Sequence, residues 1–170
     1  MRATMWAVLA VAAACSGPGA GPGPGPGPGG AGPATRGCQA VPAGSVVAGH
    51  NAERARAGLA PLAADPVLAR VAAEHACDMA RGDYFAHRDR AGRSPGDRVR
   101  AAGIEHCATA ENIAFGQPDA AAVQADWMAS SGHRANILRH GARRVGVAAA
   151  VAPGGDGLVR WVAVFAGPCL

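Results

Sequence analysis

Lysine is absent from this 170-residue chain: all 16 basic residues are arginine, set against 12 acids for a formal charge of +4 and a pI near 9.1. The excess is mild and dispersed, and aromatic residues make up only 4%. Nucleic-acid readers concentrate cationic side chains on one face and often interleave stacking aromatics, so no nucleic-acid partner is expected. Also missing are a Cys-x-x-Cys pair, an HExxH helix, a Gly-x-Ser-x-Gly elbow and a phosphate-binding glycine loop. Hydrophobic residues reach 49%, but 43 of them are alanine, which leaves about 40 larger apolar side chains to build a core. One compact domain is the ceiling.

The chain opens with Arg2 and the apolar stretch Met5 to Ala14. About ten residues are too few to span a bilayer of roughly 30 Å but have the length of a signal-peptide core. The chain therefore reads as exported, to an extracellular or periplasmic location. Ala12-Ala13-Ala14-Cys15 also resembles a lipobox, with Ala12 where leucine is usual. Cys15 would then be lipidated and form the membrane attachment; simple secretion stays open beside it. Gly17 to Pro33 holds nine glycines, six prolines and two alanines, a disordered spacer whose period of two excludes a collagen helix. The expected division is a signal peptide at 1–15, a linker at 16–37 and a folded domain at 38–170. Without Cys15, four cysteines remain in an exported chain, Cys38, Cys77, Cys107 and Cys169, and two disulfides are expected. Three pairings are possible; the favoured one joins Cys38 to Cys169, tying the domain's ends, and Cys77 to Cys107.

Within the domain, Ser45 to Ala57 reads as a first helix stopped by Gly58. Asp65-Pro66 starts a second, with Leu68, Val71, Ala72, His75 and Met79 at helical spacing and an end near Gly82. Ser94-Pro95 starts a short third that stops at Gly103, with Asp97 beside the positive end of its dipole. A fourth begins near Asp119 and is broken by Gly132, after which a helical turn carries Asn136 to Leu138. Arg144 to Val151 and Leu158 to Phe165 are valine-rich runs around a Pro-Gly-Gly-Asp-Gly turn and predict a β-hairpin. Both faces of the second run are largely apolar, which predicts helices over both faces of the sheet. Glu111 to Phe115 is a further candidate strand. The expected fold class is α+β, a three-layer α/β/α sandwich.

Polar residues interrupt structured, apolar surroundings at Tyr84-Phe85-Ala86-His87, at Ala110-Glu111-Asn112-Ile113 and at Ser130-Ser131-Gly132-His133-Arg134-Ala135-Asn136-Ile137-Leu138. Together with His50-Asn51-x-x-Arg54 and with Trp127 three residues before Ser130, the series resembles the CAP superfamily (SCP/PR-1-like), in its bacterial branch. The resemblance covers Ser45 to about Phe165. It implies a cleft in which the family's two histidines and one of its acids fall on His87, His133 and Glu111. The second acidic position falls on Ser130, where eukaryotic members read Trp-x-x-Glu. Two imidazoles and one carboxylate suit zinc or another divalent metal if they converge with water in the fourth position. The resemblance also assigns His50, Asn51 and Arg54 to holding the first helix in place.

Three functions stay open. The first is a binding module of the cell envelope, a monomer with a lipid or other envelope component as its ligand. The second is a metal-assisted hydrolase with His87 and His133 as zinc ligands and Glu111 as the base on a bound water. The third is a structural envelope protein. A serine hydrolase based on Ser130 or Ser131 lacks the elbow and an oxyanion site.

Overall fold

The computed structural model describes residues 37–168, apart from 42, 106 and 107. The signal peptide, Cys15, the linker up to residue 36, Cys107 and Cys169 lie outside the described residues.

Helix starts follow local chemistry. Asp65 opens α2 (Pro66–Gly82), its Oδ1 accepting from the backbone N–H groups of Val67 and Leu68. Proline at the first position loses no hydrogen bond there. Ser94 and Asp97 form a reciprocal capping box at the start of α3 (Pro95–Ala101). Asp119 caps α4 (Ala120–Ala129), and α1 spans Gly44–Arg56. The break after α4 falls at Ser130, whose extended backbone (φ −86°, ψ 122°) ends α4 and begins α5 (Ser131–Ile137). Gly132 is therefore inside a helix and not the breaker expected from the sequence, and His133 is carried on that helix.

The expected hairpin is β4 (Arg144–Val151) and β5 (Arg160–Gly167), and β3 (Ala108–Phe115) pairs antiparallel with β5 from Ala108↔Gly167 to Phe115↔Arg160. Two strands too short to show a period in the sequence, β1 (Gln39–Val41) and β2 (Ala63–Ala64), both pair with β4. The sheet runs β1-β4-β5-β3, which leaves β3 at an edge. Alternate residues of β5 feed two cores: Val162, Val164 and Ala166 join Leu68, Met79 and Val99 under α2 and α3, whereas Trp161, Ala163 and Phe165 join Val46, Val123, Trp127 and Ile137 under α1, α4 and α5. That is the three-layer sandwich the apolar second run predicts.

The layers are held at specific points. Asp65 reaches β4 twice, by its N–H to the Val145 carbonyl and by Oδ2 to Arg144 at 2.9 Å. Arg54 is buried and donates to the carbonyls of Ala60, Ile137 and Arg139, satisfying acceptors that the end of α5 leaves orphaned. Asn51 clamps Leu62 through both its backbone groups. His50 is buried against Phe165 and Trp127 and donates Nδ1–H to Gln124. These contacts are structural.

The disulfide within the described residues joins Cys38 to Cys77, with Cα atoms 5.9 Å apart. This corrects the expected pairing of Cys38 with Cys169 and of Cys77 with Cys107. Gln39 pairs with Val151, at the end of the sheet where β5 begins. The far end of β5, Gly167, is seven residues further along, roughly 23 Å at strand rise. A disulfide needs Cα atoms within about 7 Å. Composition and count alone carry no information about which end of the sheet a cysteine occupies.

Two predictions arise from this packing. A Cβ on Gly146 would lie 2.0 Å from the Ala69 nitrogen and 2.1 Å from the Leu68 carbonyl carbon, both in the backbone of α2. Gly146→Ala is expected to cost about 3 kcal/mol or more in urea unfolding, because backbone cannot swing aside. Burial, opposed by the Gln124 hydrogen bond, holds the His50 pKa at about 4, below its ordinary 6.5. The folded state thus resists a proton that the unfolded chain accepts, and stability present above pH 6.5 is lost as the pH falls towards 4. The loss is about 3 kcal/mol for this residue, and His50→Gln should flatten that part of a pH series of unfolding midpoints.

Candidate functional site

The candidate site lies at the open edge of the sheet, where β3 meets the 83–94 loop on one side and α5 on the other. Glu111 of β3 is the pivot. Its side chain is 1% exposed, with Oε1 2.9 Å from His87 Nδ1 and Oε2 2.6 Å from Arg98 Nη2. A carboxylate only accepts, so the His87 ring donates through Nδ1 and keeps Nε2 for the solvent side of a side chain that is 53% exposed. Arg98 closes the triangle, since its Nη1 donates to the His87 carbonyl at 2.9 Å and to the Arg93 carbonyl at 3.0 Å. One guanidinium thus holds both the backbone of His87 and the carboxylate that aims its ring. Sequence reasoning missed Arg98, although an arginine on the apolar side of a short helix, beside Val99, is a usable signal for a buried cation.

His75 approaches the same carboxylate from α2, with Nε2 4.0 Å from Glu111 Oε1 and 3.0 Å from the Ala86 carbonyl. It donates to that carbonyl and so pins the loop one residue before His87. Burial is the main cause that lowers its pKa below the ordinary value, which keeps the ring neutral.

The other side of the cleft is tied to β3 by amides. Asn112 donates to the His133 carbonyl at 3.0 Å, and Asn136 donates to Asn112 Oδ1 at 2.9 Å and to the Glu111 carbonyl at 3.3 Å. Trp127 Nε1–H points to the Ile113 carbonyl at 3.4 Å. The outward carbonyls of an edge strand would otherwise invite another chain. Here Trp127 takes one from α4 and Asn136 another from α5, the helix that carries His133. Burial, and then the charge of His87, lower the His133 pKa. Ser130, the position that matches the missing acid, makes no side-chain cap bond to α5.

The structure therefore brings His87 and Glu111 into direct contact and sets His133 near enough to feel the charge of His87. Among the described residues no group of three His, Cys, Asp or Glu side chains is arranged to hold a metal ion. Both Glu111 oxygens are engaged, and a catalytic zinc site takes three protein ligands. The donor set here does not fit one. Two residues before His87 in the chain, the exposed Phe85 ring lies 5.9 Å from the exposed Phe115 ring, and the Arg160 guanidinium sits 4.1 Å over the Phe115 ring.

A layered sandwich with paired imidazoles beside its edge strand defines an SCP-like domain, and comparison with known proteins gives the family. Residues 47–165 match the model of the CAP family, described as the cysteine-rich secretory protein family, and the chain belongs to it. It is 40% identical over 97 residues to the uncharacterized protein YkwD of Bacillus subtilis, and 34% identical over 97 residues to the uncharacterized membrane protein YlbC of the same organism. Each match takes in 57% of this chain but only 38% and 28% of those longer relatives. Among solved structures, an extracellular protein containing an SCP domain from Bacillus anthracis superposes with a TM-score of 0.64 at 28% identity, over 73% of this chain and 39% of that one. An outer surface protein of Borrelia burgdorferi shares the fold at 18% identity, TM-score 0.68, over 77% of this chain and 98% of its own. The chain is a bacterial-type CAP-domain protein.

Removing Arg98 should expose the dependence of the site on it. Arg98→Met leaves Glu111 buried without its cation and is expected to cost about 3–5 kcal/mol. Adding Glu111→Gln should recover part of that loss in a double-mutant cycle of chemical unfolding.

Proposed function

We propose that the chain is an exported protein of the cell envelope whose CAP domain is a monomeric binding module for a lipid or other envelope component. The observation that carries this reading is the engagement of Glu111. A base acting on a bound water needs an oxygen within reach of that water, whereas both Glu111 oxygens are turned to His87 and Arg98. What the cleft offers a ligand is the outward nitrogen of His87, the neutral ring of His133 and the apolar Phe85–Phe115 pair. Such a surface suits an amphipathic molecule with a polar group on the imidazoles and an apolar part on the rings.

Export is supported by the Met5–Ala14 segment and by the similarity to an extracellular SCP-domain protein of Bacillus anthracis. No helix among the described residues is long and apolar enough to cross a membrane. Cys15, in its lipobox-like setting, is the proposed point of lipid attachment.

The test is binding of the full chain to vesicles of phosphatidylglycerol and phosphatidylethanolamine, with zinc titration of the chelator-treated protein in parallel. Phe85→Ser/Phe115→Ser and His87→Ala/His133→Ala are each expected to weaken vesicle binding roughly fivefold or more in protein whose circular dichroism shows the fold retained, and the histidine variant should also melt lower because Glu111 Oε1 loses its donor. Zinc binding should not differ between the native chain and the histidine variant in the micromolar range. Turnover of a defined substrate that disappears with either histidine, or one-to-one micromolar zinc binding lost in the double variant, would restore the metal-hydrolase reading.

A further inference from the structure

The chain's formal excess of +4 falls in one stretch. Between Asp126 and Asp156 the sequence holds no acid and four arginines, Arg134, Arg139, Arg143 and Arg144, while the rest of the chain balances twelve arginines against twelve acids. The charge that overall composition suggests is dispersed is therefore gathered on α5, the turn after it and the start of β4.

The fold keeps most of this stretch together and leaves it unmatched. Buried Arg54 draws the carbonyls of Ile137, Arg139 and Ala142 onto one guanidinium, at 2.8, 3.0 and 3.5 Å. Arg139 and Arg143 belong to that turn, Arg134 stands about one helical turn earlier on α5, and all three are exposed. Arg143 is held by the carbonyls of His140 and Ala142, and its charge is felt at Arg54, whose pKa is lowered first by burial and then by Arg143. Arg144 is paired with Asp65. On the neighbouring helices Glu53 is paired with Arg56, Asp119 caps α4 and Asp126 accepts from Gln117. Among the described residues no carboxylate forms an ion pair with Arg134, Arg139 or Arg143. The dipole at a helix C-terminus favours a basic residue there, which accounts for Arg134, but Arg139 and Arg143 lie past the last helical residue, Ile137. The other exposed residues from 131 to 143 are Ser131, Gly132, Ala135, His140 and Gly141. Apart from the imidazole they are small, so a flat surface can reach the guanidinium groups.

We propose that this face docks on an anionic lipid bilayer, with Arg134, Arg139 and Arg143 donating to lipid phosphates and Arg54 adding its charge from beneath. Arginine suits the task because its planar fork meets two phosphate oxygens at once. Clustered basic residues are drawn to an anionic membrane roughly additively. None of the exposed residues among them is an aromatic on which nucleic-acid bases could stack. The proposal rests on the envelope reading for the presence of a membrane, and it does not rest on the His87–His133 cleft.

The experiment is co-sedimentation of the full chain, native and Arg134→Gln/Arg139→Gln, with vesicles of phosphatidylcholine alone and of phosphatidylcholine mixed with phosphatidylglycerol. Both substituted side chains are exposed and glutamine keeps the helix propensity, so the variant is expected to melt with the native chain. Phosphatidylglycerol is expected to tighten native binding at least tenfold, with a gain that shrinks as salt rises. The arginine variant should lose at least fivefold on the mixed vesicles and nothing on phosphatidylcholine. Phe85→Ser/Phe115→Ser runs beside it: if that variant binds both vesicles as the native chain does, the cleft reading fails while the phosphatidylglycerol dependence still supports this face. Equal binding to the two vesicle compositions, or an unchanged affinity of the arginine variant for the mixed ones, would overturn the proposal. Tighter binding of dissolved polyphosphate than of mixed vesicles at equal phosphate concentration would overturn it too, in favour of a soluble polyanion.

Discussion

Arg98 and Glu111 meet at 2.6 Å with side chains 6% and 1% exposed, and the cleft depends on that pair. Taking two charges out of water is expensive, and the cost is recovered only where geometry and extra hydrogen bonds are good. Here the carboxylate's second oxygen goes to His87, and the guanidinium's other nitrogen goes to the His87 backbone carbonyl. The residue that faces solvent is therefore fixed at ring and chain by two that do not. A hydrophobic pair of similar volume could hold the layers together, but it could not choose which imidazole nitrogen points outward.

The second histidine is placed by different means. Asn136 and Trp127 reach outward carbonyls of β3, Asn112 reaches the carbonyl of His133, and Arg54 gathers the carbonyls at the end of α5. The edge of the sheet is thus covered by α4 and by α5, the helix that carries His133. The Gly-His-Arg-Ala-Asn-Ile-Leu segment combines both tasks, with His133 towards the cleft and Asn136 towards the strand. Ser130, where a second acid would stand, is the hinge between α4 and α5, so the bacterial-type sequence uses that position for backbone geometry.

Much of the sandwich was legible in the sequence because its signals are local. The Asp65-Pro66 and Ser94-Pro95 starts, the valine-rich hairpin and the doubly apolar β5 each follow from neighbours a few residues apart. What was not legible depends on pairing across the chain. β1 and β2 are too short to carry a period, and Gly132 reads as a breaker although Ser130 makes the turn. Cys38 meets Cys77 because β1 lies at the end of the sheet where β5 begins, which no spacing reveals. At the site, His87 and Glu111 were singled out through the order of the motifs, and the structure places them 2.9 Å apart. The role of Glu111 was harder to see, because a buried arginine from a separate helix decides whether a carboxylate orients a ring or serves as a ligand.

The most direct test is nitrogen NMR of the imidazoles in histidine-labelled full chain at pH 7.5. If Glu111 orients His87, the ring should be protonated at Nδ1, with its Nε2 free to shift when a ligand enters the cleft. A ring protonated at Nε2 alone, as in most free imidazoles, would contradict the clamp and return Glu111 to the groups available for chemistry.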